Sequence, residues 1–453
     1  MTDRPGLNSG ARDRMDGGWL VKGDSIRQVA RHLSLCLGLM IQVACASVTP
    51  TVAHRQDVNR QLARGDLGEA LRQVESRKET EYGNKGGALY HLDRGALLHF
   101  AKRYSESDAE LDIAERKIEE LHTKSASQSV GRYFANDNGV EYRPPPHEKV
   151  LLHILRALNH AMQGDVEGSS VEASKMSAFL TQAQDEHLLA TTQPDVFVHV
   201  LSQLLFEDAG STDSAATSAR RARASVTQSG ALPGLRPEVF AKPLAKGEGE
   251  VILIHYSGTA PRIETDLRAT ALVKDSSGVL QLRKYQGAEA LQVLKRRVPL
   301  GEPAPSATAL PKFVQDPYLI SGSRMVIGGR EADTAVGVDV TAIAKACLDA
   351  NMEDIQSRAA WRSLTKDLWS ELASVVPGIT FRGAAYKTEV ADIRAWATMA
   401  GQIRIGHVHV PAGRHDMRIV FIGPDGKTVN EERLPGLVVK SGKRTYVQVR
   451  TIL

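Results

Sequence analysis

Two histidines separated by one residue, His407 and His409, lie in a run of alternating apolar residues, and His415 follows closely. Side chains two apart on a strand point to the same face, so the pair has the spacing of two metal ligands. Zinc takes four ligands, at least three of them from the protein, and the sequence offers no further cluster of Cys or His around the pair. We therefore predict no metal site and no cofactor here, and we expect strand histidines that face solvent.

Four other histidines fall on segments with helical periodicity: His91, His99, His153 and His160. His153 and His160 are seven residues apart, about two helical turns, which is too far to chelate one ion directly. We interpret these histidines, with Asn159, as groove or rim residues that contact a partner. Asp392, Arg394 and Trp396 favour a structural ion pair beneath a tryptophan over a ligand site.

Paired helical periods supply the elements that would position these residues. Apolar residues recur at helical spacing on either side of a break at Gly65, Lys102, Gly164 and Gly210. Each such hairpin is too thin to bury its own apolar side, so successive copies must stack. We predict an α-solenoid of four hairpins over residues 55–227.

The second hairpin resembles a tetratricopeptide repeat. Gly95 stands at the small position of its first helix, Tyr104 follows the turn, and Ser107 is the small residue of its second helix. A loop insertion over residues 122–146 separates hairpins two and three, and Pro144 to Pro146 make its end extended. Asn136, Asp137 and Tyr142 in this loop predict a lip for partner binding. A plain connector whose aromatic residues only pin it to the helices stays open as the alternative.

The N-terminus has the order of a signal peptide. Arg27 and Arg31 precede a short apolar run that ends in small residues, and the run is shorter than the ~20 residues that a membrane-spanning helix needs. The stretch Val43 to Ala46 resembles the lipobox of bacterial lipoproteins, which implies lipid attachment at Cys45. Gln42 stands where lipoboxes usually carry an aliphatic residue, so ordinary signal cleavage stays open. We expect residues 1–46 to be a leader, and the mature chain to be an outer-membrane lipoprotein that faces the periplasm.

The chain of 453 residues is nearly balanced in charge, with 57 basic and 53 acidic residues, and this gives no support for nucleic-acid binding. Residues 228–246 are rich in Gly and Pro and predict a linker. Beyond them, residues 247–453 show the periodicity of strands, and the helical period returns over 339–372. The predicted fold class is therefore α plus β: a solenoid of helical hairpins, then an antiparallel β-rich domain with an inserted long helix.

Several stretches resemble an uncharacterised family of bacterial tetratricopeptide-repeat lipoproteins. They are Asn136-Asp137 with Tyr142, the helix start at Glu148 to Leu151, Ala157 to Asn159, and the segments 247–262, 339–366 and 391–413. The resemblance implies a cell-envelope address and implies no catalytic residue.

These observations favour a non-enzymatic envelope scaffold that binds other proteins or peptides through its repeats and is held to the membrane by a lipid. The alternative is an enzyme that acts on cell-wall or surface polysaccharide, with carboxylates at the junction of the two halves. Buried acidic residues that face one cleft at that junction would favour the enzyme.

Overall fold

The N-terminal part of the chain folds into helical hairpins, as the breaks in its helical period predict. The computed structural model describes residues 51–83, 86–123, 141–185, 193–229, 235–241, 245–296, 305–374 and 391–452. Within these ranges the hairpins comprise α1 (Val52–Ala63) with α2 (Leu67–Ser76), α3 (Gly87–Phe100) with α4 (Tyr104–Thr123), α5 (Pro146–Gln163) with α6 (Val166–Asp185), and α7 (Gln193–Asp208) with α8 (Thr212–Ser229). Each helix packs on the next in chain order.

The hairpin turns share one backbone conformation. Gly65, Gly164 and Gly210 adopt φ values of +74°, +74° and +71°, and Lys102 takes the same left-handed conformation in the second hairpin. Glycine reaches this region without a steric penalty, so it ends one helix and reverses the chain. After the first turn, the Asp66 carboxylate accepts the amide hydrogen of Glu69 and caps the following helix.

Close helix packing in the second hairpin depends on Gly95. A Cβ at this position would approach the Leu111 side chain to 2.7 Å. The Ser107 hydroxyl donates to the Gly95 carbonyl at 2.7 Å and ties the helices together. Small residues at these two positions thus allow the close approach of the two helices.

In the described residues, the C-terminal part contains three sheets. Their strands are β1 (Glu248–Ser257), β2 (Arg262–Lys274), β3 (Leu280–Gln286), β4 (Ser306–Val314), β5 (Gly322–Ile327), β6 (Arg330–Asp333), β7 (Ala335–Asp339), β8 (Gln402–Pro411), β9 (Gly413–Ile422), β10 (Thr428–Val439) and β11 (Arg444–Thr451). The strand orders are β11-β1-β8-β7, β10-β9-β5-β6 and β3-β2-β4. The pairing is antiparallel, as predicted, except that β1 and β11 run parallel. The last strand returns to the outer side of β1 and makes the first sheet mixed.

Two helices accompany the sheets. The short α9 (Gly287–Lys295) packs on β2, and the long α10 (Val340–Ser374) contacts β4. The prediction of a long helix over 339–372 is confirmed, and Cys347 is buried on it. Residues 318–320 form no strand, and the ring of Tyr318 packs closely against the backbone at Gly258 and Gly401.

The helices and the first sheet share one hydrophobic core. Leu97, Leu155 and Leu201 of the hairpins belong to the same buried cluster as Ile252 and Ile405 of the sheet. In the predicted linker, Leu235 and Phe240 are buried in this cluster as well. The change in sequence period near residue 240 therefore does not coincide with a break in this core, although the β-rich half has two further hydrophobic clusters of its own.

None of the helices in the described ranges combines the length and the apolar character that a membrane crossing requires.

Candidate functional site

An irregular segment of the chain, residues 391–401, lies against α1, α3 and α5, the first helices of the first three hairpins. We call this segment the strap. The backbone amide of Trp396 donates to Glu148 Oε1 at 2.9 Å. The amide and hydroxyl of Thr398 donate to Asp93 Oδ1 at 3.2 Å and 2.8 Å. The Arg55 guanidinium donates to the carbonyl of Ile393. Helix side chains thus bind the backbone of an extended peptide that belongs to the same chain.

The two carboxylates that hold the strap, Asp93 and Glu148, accept hydrogen bonds from neutral donors at both of their oxygens. We call this pair the strap seat. Tyr82 donates its hydroxyl to Asp93 Oδ2 at 2.9 Å, and Tyr142 donates to Glu148 Oε2 at 2.6 Å. Burial disfavours the charged forms and outweighs these hydrogen bonds, so it raises the pKa of Asp93 to about 6 and that of Glu148 to about 7. A perturbed buried acid is a general mark of functional sites, but structural networks produce it too.

The strap itself is held by the ion pair that the sequence predicts. Arg394 donates to both carboxylate oxygens of Asp392, at 2.9 Å and 2.7 Å. Its guanidinium lies 5.5 Å from the centre of the Tyr142 ring, and Trp396 beside it is buried. The predicted ion pair is therefore present.

Little space remains beside Glu148. The cavity next to Glu148 measures about 50 Å³ and is lined by residues that include His147, Trp396 and Met399. Small-molecule sites usually measure ~300 to 1,000 Å³. Carboxylates do lie at the junction of helices and sheet, but this chain's own donors occupy their oxygens.

A second polar network joins the helices to the first sheet. The hydroxyl oxygen of Tyr256 lies 2.9 Å from Nε2 of His99, and Nδ1 of His99 lies 2.7 Å from Oδ1 of Asn159. Asn159 donates in turn to Ser107 at 2.9 Å. Burial lowers the pKa of His99 to about 4, so its ring is neutral and donates through Nδ1 to Asn159. The network fixes the sheet on the hairpins.

The remaining predicted partner-binding histidines connect neighbouring helices. His91 Nδ1 lies 2.6 Å from Glu110, His153 Nδ1 lies 2.9 Å from Glu172, and His160 Nδ1 lies 2.7 Å from Asp165. Arg156 stands among Asp108, Glu115 and Glu172 and strengthens this row of pairs. A cavity of about 290 Å³ opens beside His153, between helices α4 and α6.

The sequence predicts an open groove at several positions that the structure shows to be covered. His99 and Asn159 have no exposed surface, and Tyr142 is 4% exposed. The first sheet and the strap lie over them, so these three residues bind this chain and do not form an open partner groove. His91, His153 and His160 lie at the side of the helices, each within hydrogen-bond distance of a carboxylate. Asn136, Asp137 and Cys45 lie outside the described residues.

A third contact region contains His407 and His409. His407 Nδ1 lies 2.8 Å from Glu250 Oε1, and His409 Nε2 lies 3.6 Å from the same oxygen. We call Glu250, His407 and His409 the histidine–carboxylate cluster. Contrary to the sequence expectation, these histidines do not face solvent: their side chains are 13% and 16% exposed. Sequence reasoning missed Glu250 because it precedes His407 by 157 residues and joins it only through pairing of β1 with β8.

Arg444 supports the cluster from behind. Its Nε donates to Glu250 Oε2 at 2.7 Å, its Nη1 contacts Asp208 at 3.0 Å, and its Nη2 contacts Glu207. Burial opposes ionisation of Glu250, but the hydrogen bond from His407 and the Arg444 charge outweigh it and lower the pKa of Glu250. The cluster thus keeps a charged carboxylate inside the protein.

The small sheet presents a different kind of surface. Its order is β3-β2-β4, so β3 is an edge strand, and none of the described strands pairs with its outer side. Leu272, Leu280 and Leu282 lie on one face of the β2–β3 hairpin and are 44%, 52% and 63% exposed. Helix α9 covers the opposite face through Ala290 and Leu294.

Comparison of the chain with protein-family models, with curated proteins and with solved structures finds no match. Any statement about function therefore has to come from the chain's own geometry.

Proposed function

We propose that this protein is a non-enzymatic scaffold of the bacterial cell envelope that binds another polypeptide along the edge of β3. The observation that carries the proposal is the exposed row of Leu280 and Leu282 on β3, whose outer edge pairs with none of the described strands. Edge strands of this kind are templates for added strands, and soluble proteins usually protect them.

The chemistry of β3 defines the partner. Arg283 and Lys284 are exposed, and neither makes an ion pair within the described ranges. An extended segment with apolar residues at alternate positions would cover the leucine face, and acidic residues would pair with the basic side chains. The free main-chain groups of β3 would supply the remaining hydrogen bonds.

The stack of helical hairpins has a supporting part in this proposal. Gly95 and Ser107 favour the assignment to tetratricopeptide-like repeats, whose inner faces commonly bind peptides. Here the strap and the first sheet cover that face. We therefore assign the repeats to holding the β-rich half, and the exposed edge of that half to the partner.

A polysaccharide-cleaving activity at the junction has weaker support. Asp93 and Glu148 are buried as such an enzyme would require, but each accepts hydrogen bonds from a tyrosine and from the strap. A cavity of about 50 Å³ leaves no space for a sugar ring beside Glu148.

The proposed location in the cell envelope depends on the N-terminal leader, so it is tested separately. A lipid-modified mature chain begins at Cys45 and carries the mass of a thioether-linked diacylglycerol. Intact mass measurement of the full protein extracted from membranes should show that mass. A mature chain that begins after Ala46, without added lipid, would overturn the anchor and leave the β3 proposal untouched.

The β3 proposal is tested with the full chain and the substitution Leu282→Lys. The added charge should weaken strand addition, so a partner captured by the wild type from envelope extract should be lost, as read by quantitative mass spectrometry. Val171→Lys is the matched control, because Val171 is equally apolar and exposed but lies on helix α6. Equal recovery of every captured protein by both variants and the wild type would contradict the proposal.

A further inference from the structure

The histidine–carboxylate cluster contains a buried nitrogen that no group of the described residues satisfies. Nε2 of His409 is shielded from solvent and has no hydrogen-bond partner in the described part of the chain. Buried polar atoms nearly always have a partner, so each exception requires an explanation. The nearest candidate atom, Glu250 Oε1, is 3.6 Å away and already bonded to His407.

Strand geometry places three donor atoms around one point. His407 and His409 alternate on β8 and so share a face, and Glu250 on β1 lies directly opposite His409 in the antiparallel register. The three ligand atoms all lie within 4.8 Å of one another. Zinc bound at ~2.0 to 2.1 Å in tetrahedral geometry sets its ligand atoms ~3.3 Å apart. The observed separations of 2.8 Å and 3.6 Å from Glu250 Oε1 lie on either side of that value.

The local charge favours a divalent cation. One guanidinium, that of Arg444, contacts the three carboxylates of Glu207, Asp208 and Glu250, which leaves an excess of two negative charges. Arg444 holds Glu250 Oε2 and so orients Oε1 toward the histidines. This is the kind of outer contact that fixes a metal ligand in place. The Phe240 ring lies over His407 with its centre 4.6 Å away and limits access of solvent.

From this geometry we propose that Glu250, His407 and His409 bind one divalent ion of a first-row transition metal. Two imidazoles and one carboxylate suit Zn²⁺ and Fe²⁺, and Zn²⁺ is the practical probe. Three protein ligands leave a fourth position for water or for a side chain of another molecule. The site lies on the helix-facing side of the first sheet and is separate from the β3 edge.

A second group of possible metal ligands differs from the histidine–carboxylate cluster. Glu115, His153 and Glu172 also lie close together. Lys175 contacts both carboxylates, and Arg156 contacts both as well. Cations of the protein already occupy this group, so we do not assign a metal to it. It supplies a control.

The proposal is tested on the full chain, freed of metal by chelation and titrated with Zn²⁺ by calorimetry and by competition with a chromophoric chelator. We expect one ion per chain. Loss of an outer contact to a ligand typically weakens metal binding ~10- to 100-fold, so loss of a direct ligand in His409→Ala should weaken it by more than ~100-fold. Cobalt substitution should give the visible absorption of a site of low coordination number.

Two histidine variants serve as controls. His415→Ala removes a neighbouring histidine that contacts the Pro411 carbonyl, and His153→Ala removes the histidine of the second group. Both should bind Zn²⁺ as the wild type does, with unchanged circular dichroism. The proposal is overturned if the wild type binds no stoichiometric Zn²⁺, if His409→Ala binds it unchanged, or if either control removes the binding.

Discussion

The strap seat and the histidine–carboxylate cluster both bury carboxylates where helices meet the β-rich half. Their surroundings shift the pKa of these carboxylates in opposite directions. In the strap seat, Asp93 and Glu148 accept hydrogen bonds from hydroxyls and backbone amides, and burial raises the pKa of each. In the cluster, Glu250 meets a histidine and a guanidinium that lower its pKa.

The contrast indicates two different tasks. A carboxyl surrounded by neutral donors that use both its oxygens holds a peptide in place and has no capacity for another ligand. A charged carboxylate beside an unsatisfied imidazole nitrogen retains that capacity. Four substitutions in three experiments test this distinction, in order of expected effect.

Removal of Arg444 should give the largest loss of stability. Arg444→Ala leaves the buried Glu250 and the partly exposed Asp208 without their cation, and breaking a buried ion pair typically costs about 3 to 5 kcal/mol. Chemical denaturation at neutral pH measures the change in the free energy of unfolding. Arg433→Ala, which removes an exposed ion pair with Glu431 on β10, should leave the unfolding midpoint unchanged. Equal behaviour of the two variants would show that Arg444 does not balance the cluster.

Replacement of Glu148 should change how stability depends on pH. Unfolded Glu148 loses its proton near its ordinary pKa of 4.5, whereas the folded protein keeps it up to about 7. The folded state therefore binds more protons in this interval, and the contribution of Glu148 to stability falls as pH rises. The difference of about 2.5 pKa units corresponds to about 3 kcal/mol.

Glu148→Gln keeps an acceptor for the Trp396 amide and removes the titration. Relative to the wild type, the variant should gain stability progressively from pH 4.5 to 7, measured by denaturant unfolding at each pH. Glu353→Gln, at an exposed position of helix α10, is the matched control and should follow the wild type throughout. A constant difference between Glu148→Gln and the wild type would mean that Glu148 is ionised in the folded protein.

Much of the fold follows from local sequence signals. The breaks at Gly65, Gly164 and Gly210 locate three of the hairpin turns, because left-handed backbone is a local requirement that glycine meets. The long helix from Val340 is equally visible in its apolar period. Neither signal depends on distant parts of the chain.

The covering of the groove and the composition of the cluster could not be predicted in this way. His99 meets Tyr256 across 157 residues, and Thr398 meets Asp93 across 305. A histidine at a helical position has the same local sequence whether a partner or the chain's own sheet lies over it. Glu250 becomes a neighbour of His407 only through strand register, which a single sequence does not specify.

The smallest change in stability is expected for substitution of the two histidines of the cluster. Their contributions to stability should differ most clearly in the metal-free protein. His407→Ala removes a hydrogen bond to Glu250 and the contact with Phe240, so it should cost about 1 to 2 kcal/mol. His409→Ala removes a nitrogen that is already unsatisfied, so its loss should stay within about 1 kcal/mol. Both values come from urea unfolding in the presence of a chelator. A loss in His409→Ala as large as that in His407→Ala would mean that the His409 nitrogen has a protein partner without metal, and the contrast with the strap seat would then disappear.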